Sequence, residues 1–292
     1  MDIIITGAAG NLGQTLITKL DRKIVGIDKK NCPKNIKGVE WVKSDINNID
    51  LSVYNKPLVI HTAALVDYSA KYSDLFQINV LGVKSVFEQV EKAGGKMIFI
   101  SSTAVYGKKN LVLPVKEEHS RNPTDNYGLT KMYAEDIVRD KSVILRPCPI
   151  YGPRFTKGYF KIFESIKKEK MVLLGNGENY VPVINSMDVA NAIELFIKKY
   201  KIGVYNVSPD KTLTQKQLFN ICAEYLKVKK PEKKFPVWLA KIRYIFNKDM
   251  NEYVDMLSSN RLYSNKKLKD LGWKEKTNIE NGIKKMIDIW RG

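Results

Sequence analysis

Histidine and cysteine are scarce in this chain, with two and three copies in 292 residues. Cys32, Cys148 and Cys222 are odd in number, far apart and free of Cys-x-x-Cys or Cys/His spacing. That excludes a disulfide framework and a zinc site, and it fits a reducing compartment. No metal is expected. No apolar run approaches membrane-spanning length, and the opening run Ile3-Ile4-Ile5 is shorter than a signal-peptide core. The expectation is a soluble, cytoplasmic chain with no membrane partner. Internal repeats, low-complexity tracts and flexible linkers are also missing.

What is abundant is positive charge. Lys+Arg 49 against Asp+Glu 31 gives a formal +18. The lysines fall in scattered pairs such as Lys29-Lys30, Lys167-Lys168, Lys198-Lys199 and Lys266-Lys267, without the interleaved aromatics of a nucleic-acid groove. No nucleic-acid partner is expected, whereas a phosphate-bearing small molecule suits the charge. With 44% apolar residues the chain can bury a substantial core.

Short apolar runs alternate with helical patterns through the first half. Ile3 to Thr6, Ile24 to Asp28, Leu58 to His61, Met97 to Ser101 and Val143 to Arg146 read as buried parallel strands, with a further strand around Trp41. Leu75, Ile78, Val83, Val86, Phe87 and Val90 share one helix face that ends at Gly94-Gly95. Repeated strand–helix–strand order predicts an α/β, Rossmann-type doubly wound parallel sheet. The pattern loosens after Pro153 and returns between Met187 and Val207. This divides the chain into a dinucleotide-binding domain, residues 1–152 with 184–209, and a smaller discontinuous substrate lobe, residues 153–183 with 210–292.

Thr6-Gly-Ala-Ala-Gly-Asn-Leu-Gly13 follows the first strand and opens a helix. Missing side chains at Gly7, Gly10 and Gly13 let the backbone turn tightly toward a pyrophosphate at the helix N-terminus. Asp28 ends the second strand at the place where a carboxylate accepts hydrogen bonds from an adenosine ribose and repels a 2′-phosphate, which favours NAD over NADP. Lys29 and Lys30 work against that repulsion. Asp45-Ile46 is placed to flank the adenine.

Tyr127 and Lys131 stand four apart on a predicted helix after Asn122-Pro-Thr-Asp, so an ammonium lies beside a phenol that ordinarily titrates near ~10. Ser101-Ser102-Thr103 follows a strand at the carboxyl edge of the sheet. Hydride transfer at a secondary alcohol needs a matching proton transfer on oxygen. Tyr127 can perform it while Ser102 hydrogen-bonds that oxygen and Lys131 lowers the phenol's pKa.

Together these stretches, TGAAGNLG, VIHTAA, INVLGV, SSTAVYG, YGLTK, LRPCPIYGP, GNGENYVPVINSMDVANA and LGWKEKTNIENGIKKMIDIW, resemble the extended short-chain dehydrogenase/reductases of the NAD-dependent epimerase/dehydratase type. The resemblance implies a catalytic Ser102, Tyr127 and Lys131. It implies cofactor contacts at Gly7, Gly10, Asn11, Leu12, Gly13, Asp28, Asp45, Ile46, Thr62, Ala63, Ala64, Asn79, Tyr127, Lys131 and Pro147, with Thr103 and Tyr151 toward the substrate. It also implies a homodimer that pairs the Tyr127 helix with the one at Ser73 to Lys92.

The departures are informative. Dehydratases of this type carry an acidic pair just after the serine–threonine step, where this chain has Ala104-Val105. Nucleotide-sugar members place asparagine at Pro149 and a diphosphate-gripping arginine at Val181. The leading expectation is an NAD-dependent oxidoreductase of a sugar-type substrate, with nucleotide-sugar epimerisation narrowly ahead. The alternative is a dehydrogenase or ketone reductase for sterol-like or other apolar alcohols, its pocket lined by Tyr151, Phe155, Tyr159, Phe160 and Trp238. More remote is a noncatalytic NAD-sensing protein. His61, Arg146 and Asp188 read as structural residues, with Arg146 and Asp188 pairing or bracing loops, and Glu117-Glu118 reads as part of a solvated loop.

Overall fold

In a buried strand successive side chains point to opposite faces, so an unbroken run of Ile and Val feeds two cores at once. The computed structural model, which describes residues 2–34, 36–67, 69–108, 111–156 and 158–292 apart from the side chains at 248, 249, 252 and 253, is built on this rule. Strand β1 (Ile3–Thr6) sends Ile3 and Ile5 to one face and Ile4 to the other. The same division holds along β2 (Ile24–Asp28), β4 (Leu58–His61), β5 (Lys96–Ile100) and β6 (Val143–Pro147). With β3 (Glu40–Lys43) and β10 (Gly203–Val207) they form a seven-stranded sheet in the order β10-β6-β5-β4-β1-β2-β3. All its pairings are parallel. The predicted doubly wound sheet is therefore the fold. Its order reverses between β1 and β4, the switch point at which such sheets open a crevice.

Helices α1 (Asn11–Lys19) and α6 (Ser186–Lys198) cover the first face; α3 (Gly82–Lys92) and α4 (Asn126–Val138) cover the second. The helix expected from Leu75 to Val90 begins as α2 (Tyr72–Phe76) and continues through a π-helical turn, Gln77–Leu81, into α3. The wide turn brings Asn79 inward, where it is buried.

A third core joins α5 (Tyr159–Lys167), α7 (Gln215–Leu226) and α11 (Ile279–Arg291) through Phe163, Ile166, Phe219, Leu226 and Met286. Two short parallel pairs tie this region to the chain around it: β7 (Ile150–Tyr151) with β9 (Ile184–Asn185), and β8 (Leu173–Leu174) with β11 (Lys234–Phe235). Tyr263, Leu268 and Trp273 pack instead into the first sheet core. Asp188 anchors the same stretch, accepting hydrogen bonds from the amides of Lys276 at 2.8 Å and Thr277 at 3.1 Å.

Arg146 and Asp188 do not pair with each other. Arg146 is bound by Glu135, whose carboxylate accepts from Nε at 2.8 Å and Nη2 at 2.6 Å. Ser101 Oγ donates to the same carboxylate at 2.6 Å and Arg121 Nη1 at 3.3 Å. Glu117, read from the sequence as a solvated residue, is half-buried and accepts from the Asn206 amide at 2.9 Å. Burial pushes its carboxyl above the ordinary range.

Because Arg146 and Glu135 are each about 1% exposed as side chains, removing one partner strands a charge away from water. Arg146→Met is expected to cost about 3–5 kcal/mol of unfolding free energy. Urea unfolding measures this, and a loss below about 1 kcal/mol would show that the pair does not hold the sheet to α4.

Candidate active site

The glycine turn is fixed by close approach. Gly7 has φ +70°, and a Cβ there would lie 2.6 Å from the Ala63 Cα in the loop after β4. A Cβ on Gly13 would lie 2.4 Å from the Gly7 oxygen. Any larger residue at either position would push apart the turn, α1 and the β4 loop. Gly10 donates its amide to the Gly7 oxygen at 2.9 Å, and no side chain caps α1. The first amides of the helix, from Asn11, Leu12 and Gly13, thus face the crevice mouth with the positive end of the helix dipole. This cradle fits a pyrophosphate.

Asp28 closes the turn from β2. Its Oδ2 accepts from the Ala9 amide at 3.0 Å and its Oδ1 from the Lys30 amide at 2.9 Å. The carboxylate is half-buried and keeps lone pairs for a ribose. Asp45 caps the 3-10 turn Ile46–Asn48, accepting from the Asn47 amide at 3.0 Å, while Ile46 packs where a Cβ on Gly82 would stand. Thr62 donates its hydroxyl to the Thr6 oxygen at 2.7 Å, which locks the Thr62-Ala63-Ala64 loop to β1.

Asn79 holds that loop from below. Its Oδ1 accepts from the Leu65 amide at 2.8 Å, and its Nδ2 donates to the Leu65 oxygen at 3.0 Å and the Thr130 hydroxyl at 3.2 Å. With its amide spent on protein groups, Asn79 positions the loop and α4. Pro147 ends β6, buried beside Val207 of β10.

The three residues expected to do chemistry meet at the carboxyl ends of β5 and α4's first turns. Asp125 caps α4, accepting from the Gly128 amide at 2.8 Å. Ser102 caps the 3-10 turn Thr103–Tyr106, and its hydroxyl also hydrogen-bonds Tyr127. Lys131 is 2% exposed and donates Nζ to the Ile100 oxygen at 2.8 Å, with its ammonium 4.8 Å from the Phe99 ring centroid.

The electrostatics differ from the sequence expectation. Burial drives the Tyr127 hydroxyl above its ordinary range, the Ser102 contact pulls it down, and the Asp125 carboxylate pushes it up. Lys131 donates to the Ile100 carbonyl, and burial outweighs the lowering influences on the phenol. Burial also dominates at Lys131, pushing it down to about 7, with Glu135 opposing. His61 fits its structural reading: Nδ1 meets the Thr6 hydroxyl at 2.8 Å, and burial, reinforced by Lys131, lowers it to about 3. It is neutral.

Thr103 and Tyr151 are both buried. Thr103 hydrogen-bonds Tyr263, and Tyr151 hydrogen-bonds Asn185 and sits in the third core. The proposed apolar pocket is filled. Tyr151 and Tyr159 line a cavity of about 20 Å³, room for a water rather than for a sterol, which needs several hundred Å³ (roughly 300 or more). Phe160 packs on the third core and Phe155 on the first, and Trp238 is 63% exposed and lines nothing.

Arg261 is a buried charge next to this region. It is 5% exposed, its backbone amide donates to the Tyr180 oxygen at 3.2 Å, and its Nη2 donates to the Met256 oxygen. Its Nε has no partner among the described residues. Its charge lowers the pKa of Cys148, Tyr159 and Tyr263, in each case against a larger rise from burial.

Lys131 makes stability depend on pH. Between pH 7 and 10.5 the unfolded chain holds this proton and the folded chain sheds it, so unfolding free energy rises with pH, with a limiting slope of about 1.4 kcal/mol per unit. Below pH 7 the full cost of the buried charge persists. Lys131→Met removes this contribution, so its stability relative to the parent is expected to fall steadily from pH 7 to 10. Urea unfolding of both proteins across that window checks it, and a flat difference would contradict a depressed lysine.

The sequence model of the NAD dependent epimerase/dehydratase family matches residues 3–208. A putative UDP-glucose 4-epimerase of Methanocaldococcus jannaschii is 28% identical, covering 98% of this chain and 97% of that protein. The trifunctional UDP-glucose 4,6-dehydratase/UDP-4-keto-6-deoxy-D-glucose 3,5-epimerase/UDP-4-keto-L-rhamnose-reductase of Arabidopsis thaliana is 27% identical over 98% of this chain. The chain spans about half of that plant protein, 46% of its length. Among solved structures, the UDP-glucuronic acid 4-epimerase of Bacillus cereus in complex with NAD superposes with a TM-score of 0.80 at 19% identity, covering 100% and 99% of the two chains. That last likeness is one of fold. With a family model that matches most of its length, over a parallel sheet whose first turn is rich in glycine, the chain belongs to the NAD dependent epimerase/dehydratase family.

Proposed function

We propose that this chain is an NAD-dependent epimerase that inverts a secondary alcohol carbon of a nucleotide-linked sugar, working as a cytoplasmic homodimer. The observation that carries the reading is the buried Ser102–Tyr127 hydrogen bond with Lys131 one turn on, at the end of a strand two places from the glycine turn. A dinucleotide sensor has no use for that arrangement. Ala104 and Val105 occupy the 3-10 turn beside Ser102 and offer no carboxyl to protonate a departing hydroxyl, which favours epimerisation over dehydration.

Gly7, Gly10, Asn11, Leu12 and Gly13 would hold the pyrophosphate, Asp28 the adenosine ribose, and the loops at Asp45-Ile46 and Thr62-Ala63-Ala64 the adenine and the second phosphate. Pro147 would close the nicotinamide side. Asp28 supports NAD, because its charge opposes a 2′-phosphate. Bound NAD supplies the hydride acceptor and, on return, the hydride donor. Tyr127 takes the proton of the substrate hydroxyl as the C–H hydride leaves, and Ser102 hydrogen-bonds the oxygen that becomes a carbonyl. When hydride adds to the opposite face, Tyr127 gives the proton back. The sugar's identity carbon is inverted and no atom is lost.

Burial raises the Tyr127 pKa, so the phenolate needs a cation in the closed site. Lys131 is the one within a helical turn. Arg261 supports an anionic substrate group, since it carries a buried guanidinium with an Nε unpartnered among the described residues, on a backbone that pairs with Tyr180. The substrate would enter between the carboxyl edge of the sheet and the elements of 153–183 and 210–292. The dimer would form through α2, α3 and α4, where Tyr72, Leu81 and Tyr133 are exposed.

An epimerase returns its cofactor to the starting state in every cycle and has no need to release it. Protein purified without added cofactor and then denatured is expected to release about one NAD per chain; a cofactor-free protein that consumes added NAD and accumulates NADH would identify a releasing dehydrogenase. Tyr127→Phe is expected to lower kcat at least ~10²-fold, followed as 4-epimer formation from UDP-glucose, UDP-glucuronic acid or UDP-N-acetylglucosamine. Calorimetric NAD affinity should stay within about threefold. Retained turnover would remove Tyr127 from proton transfer.

A further inference from the structure

Helix α8 (Val237–Arg243) carries its apolar side outward. Trp238 is 63% exposed, Ile242 60%, Ile245 61% and Phe246 fully so. Trp238 and Ile242 are spaced i, i+4 on the helix, and Ile245 and Phe246 follow in the turn after it. Ala240 is buried, and Lys241 pairs with Asp255 of α9 (Lys248–Ser258) at 2.5 Å. Large apolar side chains grouped this way on a surface mark a contact with something less polar than water.

The surroundings of the stripe say what kind. From Lys227 to Asn247 the chain carries seven basic residues, Lys227, Lys229, Lys230, Lys233, Lys234, Lys241 and Arg243, against one acid, Glu232. The five lysines before the helix are all exposed, and the short strand β11 fixes Lys234 immediately ahead of it. Lys230 makes only a loose pair with Glu224, at 3.9 Å. A second copy of this face is a poor occupant, because it would bring two lysine clusters together. An anionic lipid surface answers both features: phosphates meet the lysines, and Trp238, Ile242, Ile245 and Phe246 enter the boundary between headgroups and acyl chains.

We infer that the α8 face seats this protein peripherally on an anionic membrane. The expectation of no membrane partner rests on the lack of spanning length. Among the described residues no helix is long and apolar enough to cross a membrane, and an interfacial helix needs no such length. The inference is independent of the epimerase reading, since it uses no residue of the cofactor or proton-transfer site.

The test is flotation of the full chain with vesicles of phosphatidylcholine alone and of phosphatidylcholine mixed with phosphatidylglycerol. Binding is expected on the mixed vesicles, at least about tenfold tighter than on the neutral ones and weakening with salt. A blue shift of tryptophan emission should accompany it and disappear in Trp238→Phe. The combined variant Ile242→Ser, Ile245→Ser, Phe246→Ser changes only exposed side chains. It should retain the parent's circular dichroism and thermal midpoint while losing at least about tenfold in vesicle affinity. Lys229→Gln, Lys230→Gln, Lys233→Gln and Lys234→Gln together should remove the salt-dependent part. Failure of the parent to float with anionic vesicles would overturn the inference. So would flotation unchanged in the serine variant, or self-association through the stripe, seen by sedimentation velocity, without lipid binding.

Discussion

The buried carboxylate of Glu135 is the contact on which the site's geometry rests. It lies one turn beyond Lys131 on α4 and two turns beyond Tyr127, and it accepts from Ser101 on the β5 loop and from Arg146 on β6. Four backbone segments therefore converge on one group, if the Arg121 loop is included. Arg146 extends the connection to the Tyr106 hydroxyl at 2.7 Å, and Tyr106 donates to Asn206 of β10 at 2.8 Å. The neighbouring Ser102 and the phenol four residues along from Pro123 cannot shift independently of this cluster. Such a cluster is costly to desolvate and costly to break, which makes it a device for register more than for net stability.

That network was the least legible part of the chain. Periodicity and glycine spacing are local signals, and they placed the strands, the phosphate turn and the Tyr127–Lys131 helix within a residue or two. Glu135 and Arg146, by contrast, look like an ordinary helix acid and an ordinary strand base; only the packing of α4 on the sheet face that carries Ile144 brings them together. Tyr106 and Asn206 lie 100 positions apart. Asn79 was legible as a site residue but its action was not, because a π-helical turn between α2 and α3 aims its amide at Leu65 and Thr130. The aromatic residues after Tyr151 misled as pocket lining because composition cannot tell a packed core from a lined cavity.

Spacing alone also gave the wrong sign for the phenol. A lysine four residues away suggests acidification, but the sign depends on where the ammonium points and how much water is left. With Lys131 turned to the Ile100 carbonyl and Tyr127 enclosed, desolvation outweighs attraction at both groups. The same burial that raises the phenol's pKa also lowers the dielectric around it, so a cation turned toward Tyr127 in the occupied site acts with more force than it would in water.

The substrate side follows a comparable logic of charge in a dry place. Among the described residues, the cavity that Tyr151 and Tyr159 line in the third core holds about 20 Å³, and the polar groups stand at its border with the sheet. The family's polar positions at 149 and 181 are Pro and Val, and the nearby buried charge is Arg261, whose Nη2 donates to the Met256 oxygen while its Nε has no partner among the described residues; its backbone amide meets the Tyr180 carbonyl, and Asn260 Oδ1 accepts from the Tyr180 amide at 2.9 Å. A guanidinium kept out of water with a free Nε is destabilising by itself. It becomes favourable when an oxyanion of matching planar geometry completes it.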